Sequence, residues 1–124
     1  MKHKGSCHCG QIAFEVEGDL QQVMECNCSH CIRKGLLLWF VPRPRFKLLS
    51  SGSLTLYTFN KHAILHQFCG TCGCQPFAYG KDPSSGADIA TVNVRCLEDV
   101  ELSAPRENSL RRTFALISPD RSRP

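Results

Sequence analysis

Apolar and polar residues alternate along several short stretches of the chain, a pattern typical of half-buried β-strands. The clearest stretch lies near the N-terminus, where Ile12, Phe14 and Val16 alternate with polar or charged neighbours. Residues 36–41 instead form one continuous apolar run that stops at Pro42. A run of this length predicts a buried strand, and the proline predicts that the strand ends at the edge of a sheet.

The rest of the chain also favours strands over helices. Residues 54–59 and 63–68 flank the sequence Asn-Lys-His and predict a hairpin that leads into Cys69. Residues 88–94 predict a last strand, and residues 31–35 have the length of one helical turn. No stretch has the period of a long amphipathic helix. The sequence therefore predicts a mainly β fold.

The composition is that of one ordinary globular domain. The chain has 124 residues, of which 42% are hydrophobic and 21% charged, which excludes a disordered chain. We expect the domain to span residues 1–103 and a basic, poorly ordered tail to follow over residues 104–124. The tail contains Arg106, Arg111, Arg112, Arg121 and Arg123, whereas the domain is nearly neutral. Because a nucleic-acid reader would carry its basic groups on a folded surface, this distribution argues against nucleic acid as a partner.

Nine cysteines are the most informative feature of the composition: Cys7, Cys9, Cys26, Cys28, Cys31, Cys69, Cys72, Cys74 and Cys96. The chain has no apolar segment with the length of a signal-peptide core or a membrane span. We therefore expect a cytoplasmic protein that binds no membrane. Cytosolic thiols stay reduced and the number of cysteines is odd, so their clustering favours metal ligands over disulfides. Zinc is the metal that such thiolate clusters usually bind.

Two of the cysteine clusters together supply four ligands. Cys7 and Cys9 form a C-x-C pair, and Cys69 and Cys72 form a C-x-x-C pair followed by Gly73, which can take the positive φ that a tight turn requires. Four thiolates complete a structural zinc site. Such a site would join two segments about sixty residues apart and so restrict the unfolded chain strongly.

The third cluster has three thiolates within six residues, Cys26, Cys28 and Cys31, and no obvious fourth ligand. Three protein ligands and one free position are typical of a catalytic zinc. The alternative is a second structural zinc completed by another side chain. The candidates for that ligand are His30, His66, Cys74 and Cys96. His66 shares a strand face with apolar residues, which favours a hydrogen-bonded core histidine, and Cys96 has the pattern of a small buried hydrophobe.

Six motifs in a fixed order resemble the glutathione-dependent formaldehyde-activating enzyme family, which also includes centromere protein V. They are G-S-C-H-C-G at residues 5–10, C-N-C-S-H-C at 26–31, R-F-K-L-L at 45–49, Y-T-F-N at 57–60, H-Q-F-C-G-T-C-G at 66–73 and V-N-V-R-C-L at 92–97. The resemblance covers residues 4–103.

The resemblance implies an Mss4-like fold, in which coiled β-sheets surround zinc, and two zinc ions per chain. It implies that Cys7, Cys9, Cys69 and Cys72 hold a structural zinc and that Cys26, Cys28 and Cys31 hold a catalytic zinc. It also implies a carbon–sulfur lyase that joins glutathione and formaldehyde reversibly to S-hydroxymethylglutathione.

Two features depart from the family pattern. Cys74 stands where we expect a small or apolar residue other than cysteine. An extended residue after Gly73 is expected to point away from the first cluster, which leaves Cys74 available to the second, although we favour a bystander role for it. The tail from Ser103 onward lacks the aromatic-Asp-Gly-Arg ending of the family.

Glutathione carries two carboxylates, so basic residues near the third cluster are candidate anchors for it. These residues are Arg33, Lys34, Arg43 and Arg45. Two other functions compete with the enzyme hypothesis. One is a non-enzymatic zinc-binding interaction module of Mss4-like fold. The other is a thiol redox protein, although no βαβ unit accompanies the C-x-x-C pairs.

Overall fold

A computed structural model describes residues 1–20, 22–26 and 28–100, together with the backbone of Arg111–Thr113. Within these residues the chain forms ten short strands and one α-helix, α1 (Ser29–Lys34). The strands are β1 (Lys2–Ser6), β2 (Ala13–Glu17), β3 (Gln22–Met24), β4 (Leu38–Pro42), β5 (Phe46–Ser50), β6 (Leu54–Tyr57), β7 (Leu65–Cys69), β8 (Phe77–Lys81), β9 (Asp88–Asn93) and β10 (Arg111–Thr113). The fold is mainly β, as the sequence predicts.

The strands form two sheets. A three-stranded sheet has the order β1-β2-β5, and a seven-stranded sheet has the order β10-β3-β4-β9-β8-β7-β6. Neighbouring strands are antiparallel except β10, which pairs with β3 in parallel. Three aromatic rings join the sheets: Phe14 stacks on Phe46 with ring centroids 5.2 Å apart, and Phe46 lies 4.7 Å from Phe77.

The two faces of the seven-stranded sheet differ. In β4, Trp39 and Val41 belong to the main hydrophobic core, whereas Leu38 and Phe40 line a cavity on the opposite face. In β9, Val92 faces the core in the same way. A strand with apolar neighbours on both faces requires apolar residues at successive positions, which explains the continuous run at residues 36–41.

Most of the predicted elements are confirmed. The alternating stretch near the N-terminus is β2, with Phe14 and Val16 fully buried. The hairpin is the β6–β7 pair, with Leu54 opposite Cys69, and the last strand is β9. The helical turn is α1, which ends at Gly35 with φ 64°.

One prediction about a strand is wrong in part, and five strands were not predicted: β1, β3, β5, β8 and β10. The buried strand predicted over residues 36–41 is β4, but β4 lies between β3 and β9 and not at the edge of the sheet. Pro42 is tolerated there because β3 is short and pairs with β4 only at Leu38. Strands β1, β3, β5 and β8 lack a clear alternating pattern. In β1 the buried positions are His3 and Gly5, which carry no apolar signal.

The predicted tail lies outside the described residues except for β10, so its poor order stays a prediction. No helix among the described residues is long and apolar enough to cross a membrane.

Candidate metal centres and the adjoining cavity

The first cysteine cluster, the closed cluster, consists of Cys7, Cys9, Cys69 and Cys72. Their four Sγ atoms all lie within 4.8 Å of one another. The Sγ of Cys9 lies 3.6 Å from that of Cys7 and 3.6 Å from that of Cys69. The fold therefore brings the C-x-C and C-x-x-C pairs together, as the sequence predicts.

Two tight turns hold these sulfurs in place. In the first, the Cys7 amide donates to the Ile12 carbonyl at 3.0 Å, and Gly10 has φ 86°. In the second, the Cys69 amide donates to the Cys74 carbonyl at 2.8 Å, and Gly73 has φ 84°. Glycine adopts this left-handed conformation without a steric penalty, so both turns reverse the chain around the sulfurs.

Backbone amides point at the sulfurs of the closed cluster. Ile12 N–H donates to Cys7 Sγ at 3.4 Å, and the amides of Thr71 and Cys72 donate to Cys69 Sγ at 3.4 Å. The Ser53 hydroxyl, followed by these amides, lowers the pKa of Cys69 to about 5. The cluster is therefore prepared to hold thiolates, the form of cysteine that binds metal.

Protons and a metal ion compete for this cluster. The Gln11 amide lowers the pKa of Cys9, but burial and hydrogen bonds to neighbouring thiols outweigh it and raise that pKa to about 12. The amides of Cys74 and Cys9 lower the pKa of Cys72. Four close thiols thus share a few protons that a divalent ion would displace, and four soft sulfur donors suit a tetrahedral ion such as zinc.

The second cluster, the open cluster, consists of Cys26, Cys28 and Cys31. Their Sγ atoms lie within 4.8 Å of one another, and among the described residues no further histidine, cysteine or carboxylate joins them at that distance. Cys28 is the N-cap of α1, and its sulfur accepts a hydrogen bond from the Cys31 amide at 3.3 Å. The start of the helix therefore fixes two of the three sulfurs.

Compared with the closed cluster, the open cluster has surroundings that favour the protonated thiol more strongly. A hydrogen bond to Cys26 and burial raise the pKa of Cys31 far above its usual value. This cluster packs against Leu36 and Leu38, apart from the main core. Cys26, Cys28 and Cys31 all line a cavity of about 310 Å³, so this cluster adjoins open space that a fourth ligand could enter.

The two spare thiols lie beside the closed cluster. The His8 amide lowers the pKa of Cys74, but burial and a hydrogen bond to Cys72 outweigh it and raise that pKa. Burial raises the pKa of Cys96 to about 12, with Cys74 and Cys7 nearby. The expectation that Cys74 points away from the closed cluster is wrong, because the left-handed Gly73 turns the chain back toward it. Neither thiol completes the open cluster.

His66 is a buried, hydrogen-bonded histidine, as predicted, and it also lines the cavity. Lys34 Nζ donates to Gln75 Oε1 at 3.0 Å, which orients the amide so that Gln75 Nε2 donates to His66 Nδ1 at 3.4 Å. The proton of the neutral imidazole is then on Nε2. Burial, followed by His30 and Lys34, lowers the pKa of His66 to about 4.

Aromatic side chains surround the second histidine of this region. The ring of His30 lies 4.1 Å from that of His66 and 5.3 Å from that of Phe59, and it stacks on Tyr57 at 5.7 Å. Burial, followed by the ammonium of Lys34, lowers the pKa of His30. His30 is not a ligand of the open cluster, so it does not complete a second structural site.

The wall of the cavity is mostly apolar. It comes from β4, β7, β8, β9 and the connector between β6 and β7, and its larger apolar side chains are Leu36, Leu38, Phe40, Phe59, Ile64 and Phe77. Sequence reasoning did not identify the connector as part of the site. The available signal was the pair of apolar residues, Phe59 and Ile64, on either side of the predicted turn.

The four basic residues proposed as anchors do not line the cavity. Arg33 Nη1 donates to the Ser29 carbonyl at 2.9 Å, Lys34 donates to Gln75, and the Arg43 guanidinium lies 3.4 Å from the centre of the Tyr79 ring. Among the residues that the structure describes, the lysine or arginine that does line the cavity is Lys61. Roles for Arg33 and Lys34 in thiol binding stay predictions.

Comparisons with known proteins agree with these observations. A family model described as glutathione-dependent formaldehyde-activating enzyme matches residues 2–112. A crystal structure of a Rhodobacter sphaeroides protein is 32% identical, with a TM-score of 0.70, over 89% of this chain and 99% of that chain. The mainly β fold with its two cysteine clusters agrees with the Mss4-like arrangement that the sequence motifs imply.

Proposed function

Because the chain belongs to the glutathione-dependent formaldehyde-activating enzyme family, we propose that it is a zinc-dependent carbon–sulfur lyase with two zinc ions. It adds the thiol of glutathione to formaldehyde to give S-hydroxymethylglutathione, and it catalyses the reverse reaction. The observation that carries this proposal is the open cluster, whose three sulfurs adjoin a cavity. The closed cluster serves the fold.

The open cluster suits a zinc ion that keeps one exchangeable position. Three cysteine sulfurs within 4.8 Å of one another are the donor set that a tetrahedral, thiophilic ion accepts. Zinc bound there would hold the entering thiol as a thiolate or polarise a carbonyl. Cys26, Cys28 and Cys31 are the ligands in this proposal, and the helix cap at Cys28 orients two of them.

The protein's own residues prepare the cavity for an uncharged electrophile. Leu36 and Leu38 pack against the three cysteines and exclude water on that side, which protects a thiolate from solvation and strengthens its polar interactions. His66, held neutral with its proton on Nε2, is the proposed hydrogen-bond donor to the aldehyde oxygen, where negative charge develops as the sulfur attacks.

The charged ends of glutathione require partners outside the cavity. Arg33 is exposed at the end of α1, two residues after Cys31, and is a proposed partner for a carboxylate. Lys34 donates a hydrogen bond to Gln75, so its proposed role is to orient Gln75 and, through Gln75, His66. All nine cysteines are free thiols, which supports the reducing cytoplasm as the proposed location.

The test is the rate of exchange between free and glutathione-bound formaldehyde, measured by NMR at equilibrium, because the addition also proceeds without a catalyst. Zinc-loaded protein should accelerate the exchange, and Cys28→Ser should remove the acceleration. Cys74→Ser, which changes a thiol outside both clusters, is the matched control and should retain it. A folded, two-zinc protein with no effect on the exchange would favour the non-enzymatic zinc module instead.

A further inference from the structure

We propose that the cavity beside the open cluster binds the carbon chain of an apolar aldehyde with about six carbons, and that such an aldehyde is a better substrate than formaldehyde. The inference rests on the proposed function, since it concerns the second substrate of the same site. Three observations carry it: the size of the cavity, the chemistry of its wall and its position against the three cysteines.

The cavity is much larger than formaldehyde. Its volume is about 310 Å³, and one water molecule takes roughly 30 Å³ of liquid, so it has room for about ten atoms of that size. Formaldehyde has two non-hydrogen atoms. With formaldehyde bound, most of an apolar cavity would contain water, which is unfavourable compared with a ligand that fills it.

The wall selects an uncharged chain. Within the described part of the chain, Lys61 is the one side chain with a full positive charge on this wall, no carboxylate lines it, and His66 is neutral. The two carboxylates of glutathione would lose water there without enough partners. The thiol substrate therefore enters with its sulfur at the open cluster and its charged ends outside, which leaves the cavity to the substituent of the aldehyde.

The reaction is the same addition and requires no further reagent. The thiol loses its proton, its sulfur forms a bond to the carbonyl carbon, and the electron pair of the carbonyl π bond moves to oxygen. That oxygen takes up a proton, so the product is a hemithioacetal and neither partner is oxidised. The substituent on the carbonyl carbon remains in the cavity throughout.

Binding is tested first, without turnover, by NMR of the methyl groups. Hexanamide is an unreactive amide with the chain length of hexanal, and formamide is its counterpart for formaldehyde. Hexanamide should shift the methyl signals of Ala63, Ile64 and Ala78, which line the cavity, and leave Ala87 and Leu49, which do not, unchanged. Formamide at the same concentration should shift none of them. Equal responses to both amides would overturn the proposal.

Turnover is tested with formaldehyde, propanal, pentanal and hexanal, each with glutathione. The quantity compared is the catalysed rate divided by the uncatalysed rate, because formaldehyde is intrinsically more reactive. This ratio should rise by up to about fourfold for each added methylene. If formaldehyde is accelerated and the ratio does not rise, the proposal fails and the proposed function stands. If none of the four aldehydes is accelerated with glutathione, the proposed function fails.

Two alanine variants test whether the carbon chain of the aldehyde lies in the cavity. Ala63 is exposed and lines the cavity, whereas Ala87, on the loop before β9, is also exposed but does not line it. Ala63→Phe should lower the preference for hexanal over formaldehyde at least tenfold, since it fills the space that the chain requires. Ala87→Phe should keep the preference. An unchanged preference in Ala63→Phe would contradict this placement of the chain.

Discussion

The closed and open clusters are built from the same side chain but belong to different parts of the molecule. Cys7 and Cys69 of the closed cluster are part of the main hydrophobic core. The open cluster packs instead against a small separate group of apolar residues that includes Leu36 and Leu38. We therefore expect metal binding at the closed cluster to be coupled to folding of the whole domain, and metal binding at the open cluster to affect only its surroundings.

The clusters also differ in how their sulfurs are connected and stabilised. The closed cluster joins segments sixty residues apart, and backbone amides and a serine hydroxyl donate to its sulfurs. The open cluster comes from six consecutive residues around the start of α1 and adjoins the cavity. In the proposed function, the structural site therefore takes its ligands from distant segments, and the reactive site takes its ligands from one short segment that adjoins a cavity.

The largest effect is expected for Cys72→Ser in the closed cluster. The variant loses one of four sulfurs, and the binding free energy of a structural zinc, roughly 10 kcal/mol or more, is also folding free energy. Because this is comparable with the total stability of a small domain, the zinc-supplemented variant should lose its native circular dichroism. Retention of the native spectrum with an unchanged melting temperature would show that the closed cluster does not support the fold.

The second effect is expected for Cys28→Ser in the open cluster. Serine is a good N-cap, so α1 should be preserved while one zinc and the thiol-dependent activity are lost. Cys28→Ala also removes the cap and should be less stable than Cys28→Ser by about 1 kcal/mol. Both variants should fold, as measured by urea unfolding. Both should also lose one zinc, as measured by the zinc content per chain. Aggregation of Cys28→Ser as severe as that of Cys72→Ser would remove the distinction between the clusters.

A smaller effect is expected for the pH dependence of stability that arises from His66, which lines the cavity. The pKa of His66 is about 4 in the folded protein, below its ordinary value of 6.5, so the unfolded chain takes up the proton first. This contribution to stability is therefore full above pH 6.5 and is lost as the pH falls. It should fall by about 1 kcal/mol between pH 6.5 and 5.5 in zinc-saturated protein.

His66→Phe is the control for this pH dependence, because acid-induced loss of metal is common to both proteins. In urea unfolding, the stability of the variant should fall less between pH 6.5 and 5.5 than that of the unmodified protein. The difference should be about 1 kcal/mol. The same pH dependence in both proteins, or an NMR titration of His66 with a midpoint near 6.5, would contradict a buried neutral imidazole.

The smallest effect is expected for Cys74→Ser. Cys74 is partly buried like Cys72 and lies only two residues from it, but it belongs to neither cluster. The variant should keep two zinc ions per chain and the exchange activity, with a change in stability below about 0.5 kcal/mol. Loss of one zinc from Cys74→Ser would show that a fifth sulfur takes part in metal binding.

The division of the cysteines could be predicted because it depends on local spacing. C-x-C and C-x-x-C pairs place two sulfurs side by side in a tight turn, so pairing of the distant segments at Cys7 and Cys69 followed from counting ligands. The position of Cys74 could not be predicted in this way. Gly73 has the left-handed φ that its place after the C-x-x-C pair predicts, 84°, but the direction of the next residue also depends on the hydrogen bond from the Cys69 amide to the Cys74 carbonyl, which spacing alone does not predict.

The cavity depends on contacts between distant segments, which explains why it was not predicted. Phe59 and Ile64 lie in the connector between β6 and β7, where Asn60 and His62 both have positive φ. That conformation replaces the tight turn of the predicted hairpin with a longer connector that forms one side of the cavity. Apolar residues beside a predicted turn were the only sign of it in the sequence.

The most direct test of the difference between the clusters is zinc-edge X-ray absorption of the two-zinc protein before and after glutathione is added. One zinc with four sulfur ligands and one with three give a mean of about 3.5 sulfurs per zinc, which should rise to about 4 when the thiol enters the open position. A mean of 4 before glutathione, or a mean that glutathione leaves unchanged, would contradict an open, thiol-binding site at Cys26, Cys28 and Cys31.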